Sequence, residues 1–549
     1  MNVQDTRSAP SASFRWAAAE VALLVLLFFV LAGGPPPGVN EAHYLSKAKH
    51  YWNPAWCPGD FFLNTADAHL VFYWTFGWLT RFLSLPATAW VGRAATWVLL
   101  AWSWRRLSVA VVPERLVSLV SGGLFLALLH RANMGGEWIV GGLEAKGFAY
   151  ALVLLALESL VGGKWPRVWL LLGAASAFHV LVGGWSAVAA LVAWRWARSE
   201  KPPLASLLPS LAGGFLLALP GLVPALQLTH GADPDIVREA NRIYVFERFS
   251  HHLAFHTFPG DRMACHGALL LAWLVMLRVA GACPGGGRLH AFVGGAVLIA
   301  VAGAVLDVGA LLDPLWAAGL LRYYWFRLSD AMLPLGAALV FTHWVLGPAR
   351  PRGAIRGGAL AVAMLLVAAH VGLVAAEYWR DGRPGAVAQT RPMDATNRRV
   401  LERRFLAWQA ICRWIATETE PDATFITPRF QQTFKWYAGR GEVVNWKDTP
   451  QDAEGIVQWR RRMEEVYPYE VVMNGLVAHG EEGLVRLANK YGARYILLGR
   501  MPSTRPLSLE RAYPPVWDPK SPYEVYRVPA GRRGSSASAA RGARQGEGG

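Results

Sequence analysis

The sequence has few charged residues and few cysteines. Charged side chains make up 17% of its 549 residues, whereas soluble domains carry about a quarter, so this is not the composition of a soluble globular protein. The four cysteines, Cys57, Cys265, Cys283 and Cys412, are far apart and form no Cys-x-x-Cys pair, which argues against a disulfide framework or a zinc site. A Gly-x-x-x-x-Gly-Lys-Ser/Thr loop is also missing, so nucleotide hydrolysis is not indicated.

Long apolar runs are present instead, and hydrophobic residues make up 54% of the chain. A run of about 20 apolar residues crosses the hydrocarbon core of a membrane. We therefore predict a polytopic α-helical membrane protein with about 11 transmembrane helices, at 14–32, 87–104, 115–130, 147–163, 167–182, 182–195, 205–226, 264–279, 291–309, 323–346 and 358–376.

Two segments need separate treatment. The first run follows Arg7 and Arg15 and is not followed by a small-x-small cleavage site, so we predict an uncleaved span preceded by a cytoplasmic N-terminus, residues 1–13. Residues 70–83 are short and contain Arg81, which favours a helix at the membrane surface over a crossing. The sequence does not decide whether this segment crosses.

Basic residues predict the orientation. The net charge is +16, and in a membrane protein such an excess belongs to cytoplasmic loops rather than to a nucleic-acid site. With the N-terminus inside, every inner connection is basic. The outer connections are then 33–86, 131–146, 227–263 and 310–322, followed by everything after Glu377. We predict a multi-pass protein of the bacterial plasma (inner) membrane that contacts membrane lipids and no nucleic acid.

The composition changes after the last apolar run. Residues 377–528 read as an extracytoplasmic α/β domain, with helices at 400–419, 452–466 and 481–490 and strands at 424–427, 442–446 and 495–498. The last residues, 529–549, are rich in Gly, Ser, Ala and Arg and are predicted to form a disordered basic tail.

The first outer loop, 33–86, contains many reactive side chains. The stretch from Val39 to Trp74 places a carboxylate immediately after the first span and continues with histidines, acids and aromatics. A carboxylate at the boundary of water and lipid can accept a proton from a substrate hydroxyl. The members of this group are Asn40, Glu41, His43, Tyr44, Asp60, Asp67 and His69.

The motif Asn40-Glu41-Ala42-His43-Tyr44, followed by Ala48 and by Tyr73-Trp74, resembles the first extracytoplasmic loop of GT-C glycosyltransferases. In the branches that transfer mannose to proteins or transfer aminoarabinose, this loop opens with an Asp-Glu pair. Asn40 stands in place of the first acid, so Glu41 is the acid that matches.

The resemblance implies a GT-C-like membrane domain with a large first outer loop and a C-terminal outer domain. It also implies transfer of a sugar from a polyprenyl-phosphate carrier to an acceptor on the outer face, with Glu41 as the general base. A carrier phosphate leaves without a proton donor, so one carboxylate suffices. The donor sugar and the acceptor are not identified by the sequence.

Further residues are predicted to shape the donor and acceptor pocket. Glu137, Glu144 and Lys146 lie in the second outer loop, where a carboxylate at the start of a span is usually functional; a solvent-exposed, salt-linked turn is the alternative. Asp60 and Asp67 carry oxygen ligands that suit a divalent cation such as Mg²⁺ or Mn²⁺. Asp67 equally suits the cap of a helix starting near Ala68.

Arg322 and Arg327 are predicted to bind the lipid phosphate, because a guanidinium group pairs with two phosphate oxygens at once. The alternative is contact with lipid headgroups. His252 and His256 share one face if the segment is helical and are weighed as a metal pair, although no third ligand or His-Glu-x-x-His motif accompanies them.

Two other functions remain open at this stage. A transporter, or a catalytically silent membrane protein on the same scaffold, is the first alternative. A polymer transferase of the O-antigen-ligase type is the second. The aromatic and basic stretch at 425–451 is compatible with sugar recognition or with packing on the membrane face.

Overall fold

The structure, a computed structural model, describes residues 10–197, 201–281, 283, 285–347, 353–387, 395–500, 506–516 and 518–529, without the side chains of 10–13 and 395–397. The chain divides into two compact units. The first contains the described residues up to Asn53, Thr65–Arg398 and Pro450–Arg460, and the second contains Pro54–Asn64, Arg399–Thr449 and the described residues from Arg461 onward. Residues 1–9 of the predicted cytoplasmic N-terminus and 530–549 of the predicted tail lie outside the described residues.

The first unit is built of helices. Its principal helices are α1 (Pro10–Ala32), α2 (Glu41–Trp52), α3 (Leu70–Trp74), α4 (Leu85–Val111), α5 (Val117–Ala132), α6 (Ala145–Val161), α7 (Trp165–Phe178), α8 (Val180–Trp196), α9 (Leu204–Gln227), α10 (Pro234–Arg242), α11 (Ser250–Leu253), α12 (Gly260–Val279), α13 (Gly286–Gly309), α14 (Pro314–Leu321), α15 (Arg327–Leu346) and α16 (Ala354–Asp381).

Within the described residues, six helices are long and apolar enough to cross a membrane, as expected of a helical membrane protein. They are Phe14–Ala32, Leu204–Gln227, Gly260–Val279, Gly286–Gly309, Arg327–Leu346 and Ala354–Asp381. The prediction of 11 spans is not met exactly. Of the other five predicted runs, 167–182 is divided between α7 and α8, and each of the rest falls mainly in one helix. Helices α5 to α8 have only 14 to 17 residues, and the 27-residue α4 contains three arginines.

The boundary between the fifth and sixth predicted spans was placed wrongly. The break falls at His179, between α7 and α8, rather than near Gly183. His179 has extended backbone angles, φ −150° and ψ 100°, and its side chain accepts a hydrogen bond from the backbone N–H of Val182. The histidine therefore caps α8 and separates two short helices.

Helices α7 and α9 pack with their backbones very close together. A Cβ atom added to Gly173 would meet the carbonyl oxygen of Gly214 at 2.0 Å, and one added to Gly214 would meet that of Trp169 at 2.5 Å. The absence of side chains at these two glycines permits this close approach of the helices.

The first outer loop contains short helices. Residues 70–83 form α3 and a 3₁₀ turn, Gly77–Arg81, of five residues each, and neither is long enough to cross a membrane. Helix α3 begins at Leu70 with His69 as its N-cap residue and no side-chain cap. The alternative role of Asp67 as a helix cap is therefore wrong.

The second unit contains a five-stranded sheet in the order β2-β1-β3-β5-β4. Its strands are β1 (Thr424–Ile426), β2 (Gly441–Glu442), β3 (Tyr495–Gly499), β4 (Arg511–Tyr513) and β5 (Tyr523–Arg527). β1 is parallel to both β2 and β3, whereas β5 is antiparallel to β3 and β4. β1 and β3 match predicted strands, β2 shares only Glu442 with the predicted strand at 442–446, and β4 and β5 were missed.

The helices of the C-terminal region are α17 (Ala395–Glu418), α18 (Phe434–Ala438), α19 (Ala453–Val466), α20 (Tyr469–Asn474) and α21 (Gly480–Tyr491). The predicted helices at 400–419, 452–466 and 481–490 correspond to α17, α19 and α21. A core of aromatic and aliphatic side chains, among them Trp408, Phe425 and Tyr495, packs between α17 and the sheet.

Candidate functional site

Glu41 and Arg93 form a buried ion pair in the first unit. The side chain of Glu41 is 0% exposed, and its two oxygens accept from Nε and Nη2 of Arg93, each at 2.6 Å. The backbone N–H groups of Gly38 and Leu143 donate to the same carboxylate at 2.5 and 2.6 Å. A carboxylate has about four acceptor positions, and these four donors occupy them. The pair therefore joins the start of α2, helix α4 and the 142–143 turn.

A second group of charged side chains connects the 137–146 loop with α15. Glu137 Oε2 lies 2.9 Å from Nε of Arg327, and Glu137 Oε1 lies 3.3 Å from Nζ of Lys146. Lys146 is buried, lies 3.8 Å above the ring of Trp138, and is also 3.8 Å from Glu144 Oε2. Because 3.8 Å exceeds hydrogen-bond distance, Glu144 makes the looser of the two contacts with this lysine.

Histidine and tyrosine side chains extend this group toward the first outer loop. Nη1 of Arg327 lies 3.3 Å from Nε2 of His179. The ring of His179 is 5.8 Å from that of His69, which in turn is 5.1 Å from that of Tyr44. We call this group the polar cluster and define it as Tyr44, His69, Glu137, Glu144, Lys146, His179 and Arg327.

Burial sets the protonation of the first-loop members. Desolvation, with smaller effects of His43 and Arg327, lowers the pKa of His69 to about 4, so this imidazole is neutral at pH 7. Desolvation and then the charge of Glu144 raise the pKa of Tyr44 well above its usual value, so the phenol keeps its proton. Both groups are hydrogen-bonding rather than charged members of the polar cluster.

Asp330 fixes the loop that carries Glu137. Its side chain is fully buried and accepts from the backbone N–H groups of Met134 at 2.9 Å and Gly135 at 2.8 Å. His252 Nδ1 donates to the carbonyl of Gly135 at 2.5 Å. The loop is therefore held from α15 on one side and from α11 on the other, which fixes the position of Glu137.

The two predicted phosphate-binding arginines lie in different surroundings. Arg327 belongs to the polar cluster and stacks 3.9 Å above the ring of Tyr324, a non-glycine residue with φ of +57°. Arg322 bonds to the side chain of Asn241 and lies 6.0 Å above the ring of Tyr244. Residues with positive φ values are often found at functional sites. The positive φ of Tyr324 therefore supports a functional role for the neighbouring Arg327.

The pair of histidines that was weighed as a metal site is not formed. Helix α11 ends at Leu253, so His252 and His256 do not share a helical face. His256 instead pairs with Asp307 at 2.9 Å, and burial lowers the pKa of His252 to about 3.

Asp60 and Asp67 belong to different units. Asp67 lies in the first unit, 3.7 Å from Nζ of Lys47, and burial raises its pKa. Asp60 lies in the second unit, where it contacts Lys435 at 3.2 Å. Across the described part of the chain, no group of three or more His, Cys, Asp or Glu residues is arranged to hold a metal ion.

Asn40 and His43 lie beside the polar cluster at the start of α2. Asn40 is the N-cap residue of this helix, and its carbonyl accepts from the N–H of Tyr44 at 3.0 Å. The ring of His43 lies 5.6 Å from that of Tyr44. Both residues therefore help to place Tyr44.

An apolar crevice of about 140 Å³ reaches Glu137. It lies between the last turn of α5, the 137–140 segment and helix α16, and most of its lining is aliphatic. His130, His370 and Trp138 contribute its polar and aromatic edge. Its aliphatic lining thus lies beside the charged side chain of Glu137.

His179, Trp138 and Tyr324 were not predicted as site residues. A signal for His179 was present, because an ionisable side chain inside an apolar run is a functional candidate. Trp138 and Tyr324 gave no comparable signal, since their roles depend on lying against Lys146 and Arg327.

Comparison with known proteins yields one partial match. Residues 407–466 match the family described as "Domain of unknown function (DUF6798)". The match covers a small part of the chain and contains none of the polar cluster. A comparison with curated proteins finds no match.

Proposed function

We propose that the protein is a membrane glycosyltransferase that moves a sugar from a polyprenyl-phosphate carrier to a hydroxyl acceptor, with the polar cluster as its reaction centre. The observation that carries the proposal is the contact of Glu137 with both Arg327 and Lys146, 2.9 and 3.3 Å away. A carboxylate and two cations are thereby held together beside an apolar crevice. A phosphorylated lipid with a long hydrocarbon chain has the complementary chemistry.

Arg327 and Lys146 are the proposed partners of the carrier phosphate. A guanidinium group has five donors, and the cluster contacts involve Nε and Nη1. Its fork suits two phosphate oxygens, and the lysine supplies a compact second charge. The crevice beside Glu137 would receive the first isoprene units of the carrier.

Glu144 is the proposed general base. In the transfer, the acceptor oxygen bonds to the anomeric carbon, the bond between that carbon and the phosphate oxygen breaks, and the phosphate leaves as an anion. The acceptor proton passes to a carboxylate. Glu41 was expected to take this role, but its four bonds to Arg93, Gly38 and Leu143 favour a structural role.

The proposal includes a location. We infer a bacterial plasma membrane protein with its N-terminus in the cytoplasm and the polar cluster and C-terminal unit outside. The support is the distribution of basic residues along the sequence, which places Lys and Arg in the connections assigned to the cytoplasm.

The class of reaction is tested with membranes from cells that express the wild-type chain. A panel of radiolabelled polyprenyl-phosphate sugars is supplied, and label in lipid, polysaccharide and protein fractions is counted. We expect incorporation from one donor above that of membranes lacking the protein. Equal label in both membranes for every donor, with the protein folded and native acceptors present, would overturn the proposal.

Transport is the second candidate, favoured by the break between α7 and α8. Discontinuous helices with a polar residue at the break form substrate sites in transporters, and His179 lies at this break. A transporter predicts sugar counterflow in proteoliposomes that is lost in His179→Gln. A glycosyltransferase predicts no counterflow and requires the lipid-linked donor.

A further inference from the structure

A second pocket lies in the second unit, at the carboxyl ends of strands β1 and β3. Its volume is about 320 Å³. Pro428 and Arg429 follow directly after the β1 region, and Gly499 and Arg500 end and follow β3; all four residues line the pocket. This volume is at the lower end of the range for small-molecule sites.

The strand order makes this position a switch point. The connection from β1 leads to β2 on one side, and the connection from β2 leads to β3 on the other side of β1. All three strands are parallel. In open α/β sheets, ligands bind outside the carboxyl ends of the strands where the order reverses, and the pocket lies at that place.

The lining of the pocket is cationic. Arg404, Arg429 and Arg500 line it, and no acidic residue is among the described lining residues. Arg500 donates to the carbonyl of Asp518 at 3.0 Å and lies 3.6 Å from Glu524, which fixes its guanidinium. The pocket therefore presents three guanidinium groups to a ligand, of which that of Arg500 is also paired with Glu524.

Arg429 is held in place but keeps an unused donor. Its guanidinium lies 4.5 Å from the ring centre of Trp446 and 5.1 Å from that of Phe430. Its Nε is buried and has no hydrogen-bond partner among the described residues. A buried donor without a partner is costly, so a side-chain adjustment that brings this Nε to an anion in the pocket would be favourable.

The remaining lining is apolar and aromatic. Its aliphatic members include Val471, Val472 and Leu476, and its aromatic members include Tyr467 and Tyr523. The phenol of Tyr467 donates to the carbonyls of Thr427 and Val444, so its ring is fixed as a contact surface. The pocket thus combines an anion site with flat apolar surfaces that can contact the uncharged part of a small ligand.

We propose that this pocket binds a phosphomonoester carried by a molecule of about the size of a monosaccharide. Paired guanidinium groups recognise phosphate oxygens in the bidentate manner, and three arginines suit a dianion. The inference does not depend on glycosyl transfer by the polar cluster, whose residues all belong to the other unit.

Binding is tested by isothermal titration calorimetry on the full-length protein in a neutral detergent. Glucose 1-phosphate is the soluble probe, glucose is the uncharged control, and phosphatidic acid in mixed micelles presents the same phosphomonoester on a lipid. We compare the wild type with Arg429→Gln and Arg404→Gln. Arg403→Gln is the matched control, because Arg403 is exposed on the same helix as Arg404 and does not line the pocket.

We expect saturable binding of glucose 1-phosphate and no binding of glucose. Arg429→Gln should weaken binding at least 10-fold and Arg403→Gln should not. Displacement by phosphatidic acid would identify a lipid headgroup as the source of the phosphate, and no displacement would identify a soluble ligand. No saturable binding of either phosphate probe, or equal affinity in Arg429→Gln with an unchanged unfolding midpoint, would overturn the proposal.

Discussion

Glu41 and Glu144 are both buried carboxylates of similar sequence context, but they have different partners in the fold. Each lies at the start of a helix that follows a loop, and the sequence alone favoured Glu41 because of its motif. In the structure, Glu41 is bonded to Arg93 and Glu144 belongs to the polar cluster. A motif identifies residue types but does not count their hydrogen bonds.

Replacing Glu41 by Gln should destabilise the first unit. Arg93 is buried, and removing the charge of its partner from a buried pair typically costs about 3–5 kcal/mol. We expect a lower midpoint of thermal unfolding in detergent, and partial recovery when Arg93→Met is combined with Glu41→Leu. An unchanged midpoint together with lost transfer would return Glu41 to the role of base.

His69 should make the stability of the protein depend on pH. Its pKa falls from 6.5 to about 4 on folding, so the unfolded chain binds a proton at a higher pH than the folded chain. Stability is therefore complete above pH 6.5 and is lost as the pH falls from 6.5 toward 4. The unfolding midpoint should decline over this range more steeply in the wild type than in His69→Gln; equal slopes would contradict the assignment.

At the scale of elements, the periodicity of the sequence located most helices and three of the five strands. It missed β4 and β5 because polar and charged residues interrupt them, and they are recognisable mainly through the pairing of β5 with β3 and of β4 with β5. It also misplaced the break between α7 and α8, since the apolar run continues past His179. Packing contacts between distant residues decided these cases.

The close packing of α7 on α9 should not tolerate a side chain at Gly173. Its added Cβ would lie 2.0 Å from the carbonyl oxygen of Gly214, and overpacking of this kind costs about 1–3 kcal/mol. Gly173→Ala should lower the unfolding midpoint. Gly184→Ala is the matched control because nothing lies within 4 Å of its added Cβ; similar losses in both variants would exclude the packing explanation.

Lys435 holds the 54–64 segment within the second unit. Its ammonium group contacts Asp60 at 3.2 Å, Glu442 at 2.6 Å and Asp448 at 2.7 Å, and all four side chains are buried. Phe61 N–H also donates to the carbonyl of Glu442 at 3.3 Å. The predicted pocket residue Asp60 is thus a structural anchor in this unit.

Removing that ammonium group should destabilise the second unit. Lys435→Met leaves three buried carboxylates without their cation. By analogy with broken buried ion pairs, we expect the free energy of unfolding to fall by about 3–5 kcal/mol. Lys490→Met, which breaks an exposed pair with Glu465, should cost about 1 kcal/mol or less. We also expect faster proteolysis within residues 54–64 in Lys435→Met. Equal stability of the Lys435→Met and Lys490→Met variants would contradict the anchoring role of Lys435.

At the scale of the whole molecule, composition was sufficient to predict a helical membrane protein but not the number of crossings. Six helices meet the length and hydropathy expected of a span, and six crossings would return both ends of the chain to the same side. In the predicted orientation the two ends of the chain lie on opposite sides of the membrane, which requires an odd number of crossings. That orientation would need an odd number of further crossings among α4 to α8, and all five of these helices would give the predicted 11.

Reporter fusions test this orientation. We expect alkaline phosphatase fused after residue 549 to be active and the same enzyme fused at the N-terminus to be inactive, because the enzyme folds only outside the cytoplasm. A green fluorescent protein at each end is the reciprocal control. Activity at neither end or at both ends would place the termini on one side and contradict the inferred topology.

The polar cluster itself was predicted in part. Glu137, Glu144 and Lys146 were selected because charged groups at the start of a span are costly to bury, and Arg327 because a guanidinium group pairs with phosphate. Tyr44 and His69 were selected with the first outer loop, and the structure brings all six together. The sequence did not reveal which of them contact each other, since 181 residues separate Lys146 and Arg327. Only the folded chain defines the reaction centre proposed here.

The most direct test of that centre is the rate of sugar transfer from the active polyprenyl-phosphate donor by purified Glu144→Gln. Glu158→Gln is the matched control, because Glu158 is an acid near the other end of α6 that pairs with Arg106. We predict that Glu144→Gln keeps the wild-type unfolding midpoint and donor binding but loses at least 100-fold in transfer rate, the scale of general base catalysis at about 10²–10⁴. Transfer by Glu144→Gln at the rate of Glu158→Gln would contradict the account.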